Sequence, residues 1–327
     1  MYKNIILGIL IALLTSSCVK RPTKEEMKEV IPKKKLIPKN MKSTTTTTTK
    51  SEGTVYANQK NNYLNNCSNE NGQGCRDIAT LYELGLGVTK NTQKSLYYLK
   101  KGCNLNHGSS CNRAGNFYAY GYAGVINKQK ASAYYIKGCN FNHSIACNNV
   151  GSSYMNGVGV VKNLALSETY LRKALNLGNN SAYNNLGFLS EMQGDQIQAE
   201  EYYLNSCNFK NSTGCYNLAM LYKGQKKYTK AYNKFLKACN LTDGDACQKA
   251  SNMIYAKLIT ISTPNKTMFS LDSNSCELND KTGCSDLGYD YEKGIGTLKN
   301  MKKAKKYYKK ACKLGHQASC KAVKRLK

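Results

Sequence analysis

The chain contains no tryptophan, three histidines, four prolines and only 20 acidic residues against 48 basic ones. Its one long apolar run, Ile5 to Leu14, is too short to span a bilayer as a permanent helix. No Cys-x-x-Cys pair occurs, which argues against thioredoxin-like redox catalysis. The phosphate-cradling patterns G-x-G-x-x-G and G-x-x-x-x-G-K-[ST] are also missing, so nothing marks a nucleotide site. The shortage of acid leaves a net charge of +28, which implies acidic partners without saying which kind. Three of the four prolines fall before residue 40, and beyond them helices can run with little interruption.

Cysteine is what the chain has in quantity. Fourteen of its fifteen cysteines form seven pairs spaced i, i+8. The frame is Cys67–Asn71–Cys75, Cys103–His107–Cys111, Cys139–His143–Cys147, Cys207–Asn211–Cys215, Cys239–Asp243–Cys247, Cys276–Asp280–Cys284 and Cys312–His316–Cys320. A further copy, Leu175–Asn179–Tyr183, keeps the frame without cysteine. Most copies begin 36 residues after the last, with two steps of 32 and one of 37. Self-similarity at that period is the signature of a solenoid, in which each unit packs only on its neighbours.

Before the array come two other segments. Residues 1–17, with Lys3, the apolar run and Thr15-Ser16-Ser17, have the layout of an export signal. The residues up to Cys18 resemble a bacterial lipobox, which would make Cys18 the lipidated first residue of the mature chain. Val19 follows it, which by the resemblance points to an outer membrane. An ordinary cleaved signal is the alternative. Residues 18–53 are rich in lysine and threonine, hold three prolines and show no apolar period, so they read as a disordered tether. An exported chain also weakens nucleic acid as the acidic partner.

The array, residues 54–327, alternates two helices. In helix A a small residue stands four after the second cysteine (Ala79, Gly115, Gly151, Gly187, Ala219, Ser251, Gly288), an apolar one at +3 and usually tyrosine at +7. That spacing is one helical face. Glycine-rich turns at Gly85, Gly121, Gly157 and Gly294 read as helix stops. Helix B carries aromatics four or five before the first cysteine, such as Tyr134, Tyr135, Tyr203, Phe235 and Tyr308, expected in the core. Between Cys247 and Cys276 the pattern degenerates, with Ser262-Thr263-Pro264 as a cap and first turn.

The frame A-x-x-LG-x-x-Y-x-x-G-x-G-V followed by KA-x-x-YY-x-KAC-x-LG resembles the Sel-one-like repeat, a relative of the tetratricopeptide repeat. Lys303–Gly315, KAKKYYKKACKLG, is close to its helix B. With cysteines at i, i+8, the chain is similar to the Helicobacter cysteine-rich proteins. The resemblance implies an all-α, right-handed α/α solenoid of about seven disulfide-stapled hairpins, with one disulfide per repeat. It also carries the label of β-lactamase or penicillin-binding protein.

The residues themselves favour disulfides over zinc. The middle position of the frame holds His in three copies and Asn or Asp in the others, which tracks helix capping and not metal ligation. Export places the thiols in an oxidising compartment, so Cys67–Cys75, Cys103–Cys111, Cys139–Cys147, Cys207–Cys215, Cys239–Cys247, Cys276–Cys284 and Cys312–Cys320 are expected as bridges. No metal and no cofactor is expected. Ser17 to Lys20 is the one S-x-x-K, at the cleavage point, and Lys281-Thr282-Gly283 matches the repeat position of Ser212-Thr213-Gly214. No catalytic constellation emerges.

Binding is the expected function. Positions +1 and +5 of helix A would line a concave groove: Arg76, Asn112, Asn116, Asn148, Ser152, Asn184, Tyr216 and Tyr289. Such amides suit a peptide backbone or sugar hydroxyls, so the expected ligand is a peptide, a peptidoglycan fragment or a protein. The alternative is the weak β-lactam hydrolase implied by the resemblance. Lys293 to Lys327 holds thirteen basic residues and no acid, a surface for anionic envelope components. Contact with the membrane would run only through the lipid, with the chain secreted, periplasmic or anchored at the outer membrane.

Overall fold

The protein is represented by a computed structural model that describes residues 48–326 apart from 123 and 125. The leader, Cys18 and most of the tether lie outside the described residues. Among those residues there are sixteen helices and no strand. The first eight are α1 (Thr48–Ser68), α2 (Gly72–Leu84), α3 (Thr92–Asn104), α4 (Gly108–Tyr120), α5 (Lys128–Asn140), α6 (Ser144–Asn156), α7 (Leu164–Asn176) and α8 (Ala182–Met192). There follow α9 (Gln196–Asn208), α10 (Ser212–Gly224), α11 (Tyr228–Asn240), α12 (Gly244–Tyr255), α13 (Pro264–Glu277), α14 (Lys281–Lys293), α15 (Met301–Lys313) and α16 (Gln317–Arg325). Even-numbered helices are helix A and odd-numbered ones helix B. Helix α1 begins at Thr48, inside the stretch read from composition as tether.

Local chemistry sets most boundaries. Asn71, Asn211, Asp243 and Asp280 cap helix A by accepting backbone N–H groups two or three residues on. Asn91, Asn127, Asn163 and Asn300 do the same for helix B. His143 and His316 cap through Nδ1, while His107 Nδ1 meets the Ser110 hydroxyl at 2.8 Å. Helix A stops on Gly85, Gly121, Gly157 or Gly294, all left-handed, with φ of 66° to 77°. Thr263 and Pro264 open α13, as their order predicts. The cysteine-free unit differs: Asn179 Oδ1 accepts from Ser181 N, and α8 starts later, at Ala182.

The capping role gives His143 a pH signature. Burial, then the charges of His107 and Arg76, lower its pKa to about 4, and the neutral ring accepts the Ala146 N–H. In the unfolded chain the same ring takes up a proton near pH 6.5. The stability it contributes is therefore present above pH 6.5 and is lost as pH falls from 6.5 through 4. Urea unfolding at pH 7 and pH 4.5 should show His143→Asn, which keeps a capping side chain, losing up to about 2–3 kcal/mol less on acidification. An identical acid loss in the two proteins would refute this.

Packing follows the +3 and −4 positions. Ile78, Val150, Leu186, Leu218 and Leu287 of helix A, with Leu99, Leu171, Tyr203 and Phe235 of helix B, are fully or almost fully buried. The small residue at +4 is where the two helices approach. A Cβ on Gly187 would lie 2.6 Å from the Tyr203 ring, and one on Gly151 2.5 Å from Leu171. Outside this seam, Tyr82–Tyr98, Tyr118–Tyr134, Tyr154–Tyr170 and Tyr291–Tyr307 stack in parallel at 5.5–5.8 Å. Lys94, Lys130 and Lys303 lie over three of these rings. The aromatic stripe is thus hairpin packing, as expected.

All seven i, i+8 pairs are bridged, with Cα–Cα distances of 4.3–4.8 Å. Each bridge ties the end of one helix B to the first turn of the next helix A. It therefore secures the junction between hairpins. Helix pairs α2–α3, α4–α5, α6–α7, α8–α9, α10–α11, α12–α13 and α14–α15 are the hairpins, and α16 closes the series. Successive A helices also touch, from α2 to α10 and between α12 and α14. The result is an α/α solenoid.

Candidate functional site

A face shared by neighbouring A helices is the natural candidate, because one surface then continues from unit to unit. The structure divides the predicted groove residues into two sets. Position +1 lies at the seam between A helices. Asn149 Nδ2 donates to Asn112 Oδ1 at 2.9 Å, Asn185 Nδ2 to Asn148 Oδ1 at 2.9 Å, and Asn217 Nδ2 to Asn184 Oδ1 at 2.8 Å. Asn112 is 2% exposed. These +1 amides pair with the +2 amides Asn149, Asn185 and Asn217 of the next A helix, and so fasten one repeat to the next. Arg76 pairs with Asp77 at 3.0 Å, and Tyr216 packs edge-on against Phe235 at 5.5 Å.

Position +5 is the open one. Asn116 accepts from Tyr135 OH at 2.8 Å, and Ser152 is half-buried beside Asn156. From there toward the C-terminal end the position holds Phe188, half-buried, then Met220, Asn252 and Tyr289, all exposed. Tyr120, Met192 and Tyr255 extend the same ends of helices α4, α8 and α12 into solvent. Position +5 of the sequence frame already includes Met220, whereas Tyr120, Met192 and Tyr255 were not singled out. For Tyr120 and Met192 the signal was the period itself, since +9 lies one helical turn from +5, whereas Tyr255 stands at +8 in the irregular unit.

The face deepens at α12–α14. There a cavity of about 220 Å³ is lined by Ser251, Tyr255, Met268, Asp272, Tyr289 and Asp290, among others. Burial and then the charge of Asp290 push the carboxyl of Asp272 up, burial and the charge of Asp286 push up that of Asp290 against its hydrogen bond to Asp272, and burial raises Asp286. At the far end, Glu292 is buried beneath Arg325 (2.8 Å) and Tyr308 OH (3.0 Å), which fastens α16 to the last hairpin. Burial works against its charge, yet these hydrogen bonds hold its pKa below the ordinary value. The outer side of α15 carries Lys302, Lys305, Lys306, Lys309, Lys310 and Lys313 together.

Lys281-Thr282-Gly283 opens α14 just as Ser212-Thr213-Gly214 opens α10, so the K-T-G match is a helix start. No group of three or more His, Cys, Asp or Glu suited to a metal occurs among the described residues. None of the described helices is long and apolar enough to cross a membrane.

The Sel1 repeat model matches residues 72–107, 108–140, 144–179, 212–243 and 282–316, more than half of the chain. The chain belongs to the Sel1 repeat family. No curated protein matches it. Among solved structures it is similar to a protective antigen of uropathogenic Escherichia coli displaying an SLR fold, at 20% identity and a TM-score of 0.62. That similarity covers 82% of this chain and 59% of the other, so this chain spans well under two thirds of its length. A Sel1 repeat protein from Oxalobacter formigenes is 20% identical at a TM-score of 0.53, covering 80% of this chain and 93% of that one. Cysteine rich protein B of Helicobacter pylori is 31% identical over 40% of this chain and 93% of its own, with a TM-score of 0.34. The Sel1 matches leave out 180–211 and 244–281, and the second gap supplies Ser251, Asn252, Tyr255, Met268 and Asp272 to the carboxylate cavity.

Proposed function

We propose that this Sel1 scaffold works by binding an extended peptide segment of a partner protein along the open face of its A helices. The observation that carries the reading is the run of exposed large side chains, Tyr120, Met192, Met220, Tyr255 and Tyr289, on one row of helices. Such residues are the usual anchors of recognition, and a rigid array of evenly spaced helices holds them in fixed register. The Asn–Asn seam fixes that spacing. Peptidoglycan stem peptides fall within the same chemistry.

The test is selection of displayed peptides on the full chain, followed by affinity measurements. Met220→Ala with Tyr120→Ala should weaken a selected peptide by roughly tenfold or more, as loss of anchor residues does. Val161→Ala with Ile197→Ala, more exposed than that pair but off this row, should leave it unchanged. Equal losses in both pairs would refute the reading.

Seven bridges fit an oxidising compartment, and we read the leader with Cys18 as export and lipid anchoring. On an anchored chain the α15 lysines would lie near anionic surfaces. Binding to anionic vesicles should then fall steeply between low and physiological salt, and fall further when Lys305, Lys306 and Lys309 are changed to glutamine. Salt-independent binding would remove this role.

A further inference from the structure

Two positions that are apolar or small in the other hairpins are acidic in one. Four residues before the first cysteine, helix B places Leu99, Tyr135, Leu171, Tyr203, Phe235 and Tyr308, and in α13 it places Asp272. Six after the second, helix A places Leu81, Phe117, Ser153, Leu189, Leu221 and Met253, and in α14 it places Asp290. Both aspartates are 4% exposed. Burying two carboxyls where the last two hairpins, α12–α13 and α14–α15, meet is destabilising, and the solenoid does not need them, because the five other hairpins are built without.

Nothing in the protein satisfies them fully. The two carboxyls lie close enough to interact, and Ser251 bonds to Asp272. Asp272 Oδ1 and Asp290 Oδ2 have no hydrogen-bond partner among the described residues. Both acids line the cavity of about 220 Å³, whose wall includes Met268 and the rings of Tyr255 (73% exposed) and Tyr289 (44% exposed). Asp286 adds a third carboxyl to its wall. The charged and titratable groups around the pair are Tyr255 on α12, Asp286, Tyr289 and Lys293 on α14, and Asp280 and His316 beside Asp286. Lys293 lies over Tyr289, and no described lysine or arginine forms an ion pair with Asp272, Asp286 or Asp290.

We propose that this cavity is a specificity pocket for the alkylammonium group of a lysine side chain in the bound peptide. The ammonium would donate to the unpartnered carboxylate oxygens, while its methylene stem lies along Met268 and the tyrosine rings. This rests on the reading of the A-helix face as a peptide site, and it adds the chemistry of one residue of that peptide. A proton carried by either carboxyl must leave as the ammonium enters, so binding releases a proton and strengthens as pH rises. A basic protein with an acidic pocket would thereby select a basic residue at one place in an otherwise uncharged or acidic segment.

The experiment titrates the full chain with N-acetyl-lysine methylamide, its norleucine counterpart and pentylammonium chloride at matched ionic strength. Calorimetry in two buffers of different ionisation enthalpy reads affinity and proton release. The lysine compound should bind at least tenfold more tightly than the norleucine one and release up to one proton. Its affinity should rise at least threefold between pH 6 and pH 8.5. Asp272→Leu with Asp290→Leu restores the apolar register, so the variant should melt at or above the temperature of the parent while losing amine affinity at least tenfold. Equal binding of lysine and norleucine compounds, or full amine binding by the folded double variant, would overturn the pocket. Pentylammonium bound tenfold more tightly than the lysine compound would overturn its assignment to a peptide. The two readings fail separately. Selected peptides that need Met220 and Tyr120 but tolerate norleucine for lysine sink the pocket alone. Asp272-dependent amine binding without any Met220-dependent peptide sinks the groove alone.

Discussion

Replacing Phe235 by alanine is expected to lower the unfolding free energy by about 3–5 kcal/mol. Phe235 is 0% exposed, and it joins Tyr203, Leu218, Ala250 and Leu271 in a core segment that runs from α9 to α13. In an array whose units touch only their neighbours, such a loss stays local and does not spread evenly. Urea unfolding followed by circular dichroism should therefore change from one transition toward two, with α10–α12 melting first. Tyr97→Ala, at a ring that is 62% exposed, should stay within about 0.5 kcal/mol of the parent. A Phe235→Ala loss below 1 kcal/mol with one sharp transition would contradict the packing described above.

Removing one bridge by Cys139→Ser with Cys147→Ser should lower stability by roughly 2–3 kcal/mol, the chain-entropy value for so short a ring. Because the bridge crosses a junction, the loss should appear as weakened coupling between the hairpins α4–α5 and α6–α7. Hydrogen exchange would show it as faster opening of the first turn of α6, with the middle of α4 unchanged. Peptide mapping without reductant should recover only i, i+8 links. A cross-repeat link, or unchanged exchange in α6, would count against it.

Much of this architecture was legible because each unit repeats the same local rules. Asn or Asp before helix A is a cap in every bridged unit that carries it, glycine after Tyr82 or Tyr154 ends a helix, and a small residue at +4 admits Tyr203 or Leu171. The open face was legible only in part. Asn112, Asn148 and Asn184 share a helical face with Asn116 and Ser152, but whether that face meets solvent or the next A helix depends on the spacing between repeats. Helical period alone does not contain that spacing. Asp272 and Asp290 escaped notice for a related reason. Each is an ordinary residue for a helix, and it stands out only when aligned with the buried positions of the other hairpins. The left-handed residue three after the first cysteine was also hidden. Glycine marks it at Gly178 and Gly315, but Glu70, Lys210 and Thr242 adopt it too.

The placement of the bridges decides what a protease can release. A cut inside a ring such as Cys139 to Cys147 leaves both ends joined through sulfur. A cut in a glycine turn between helices A and B parts the chain at once. Of the eight turns that lead from helix B to helix A, the one between α7 and α8 has no bridge to span it. Residues 177–181 are thus the one B-to-A turn where a single nick, without reductant, yields two separate fragments. One would carry the amide seam of α4 and α6, the other the carboxylate cavity of α12–α14.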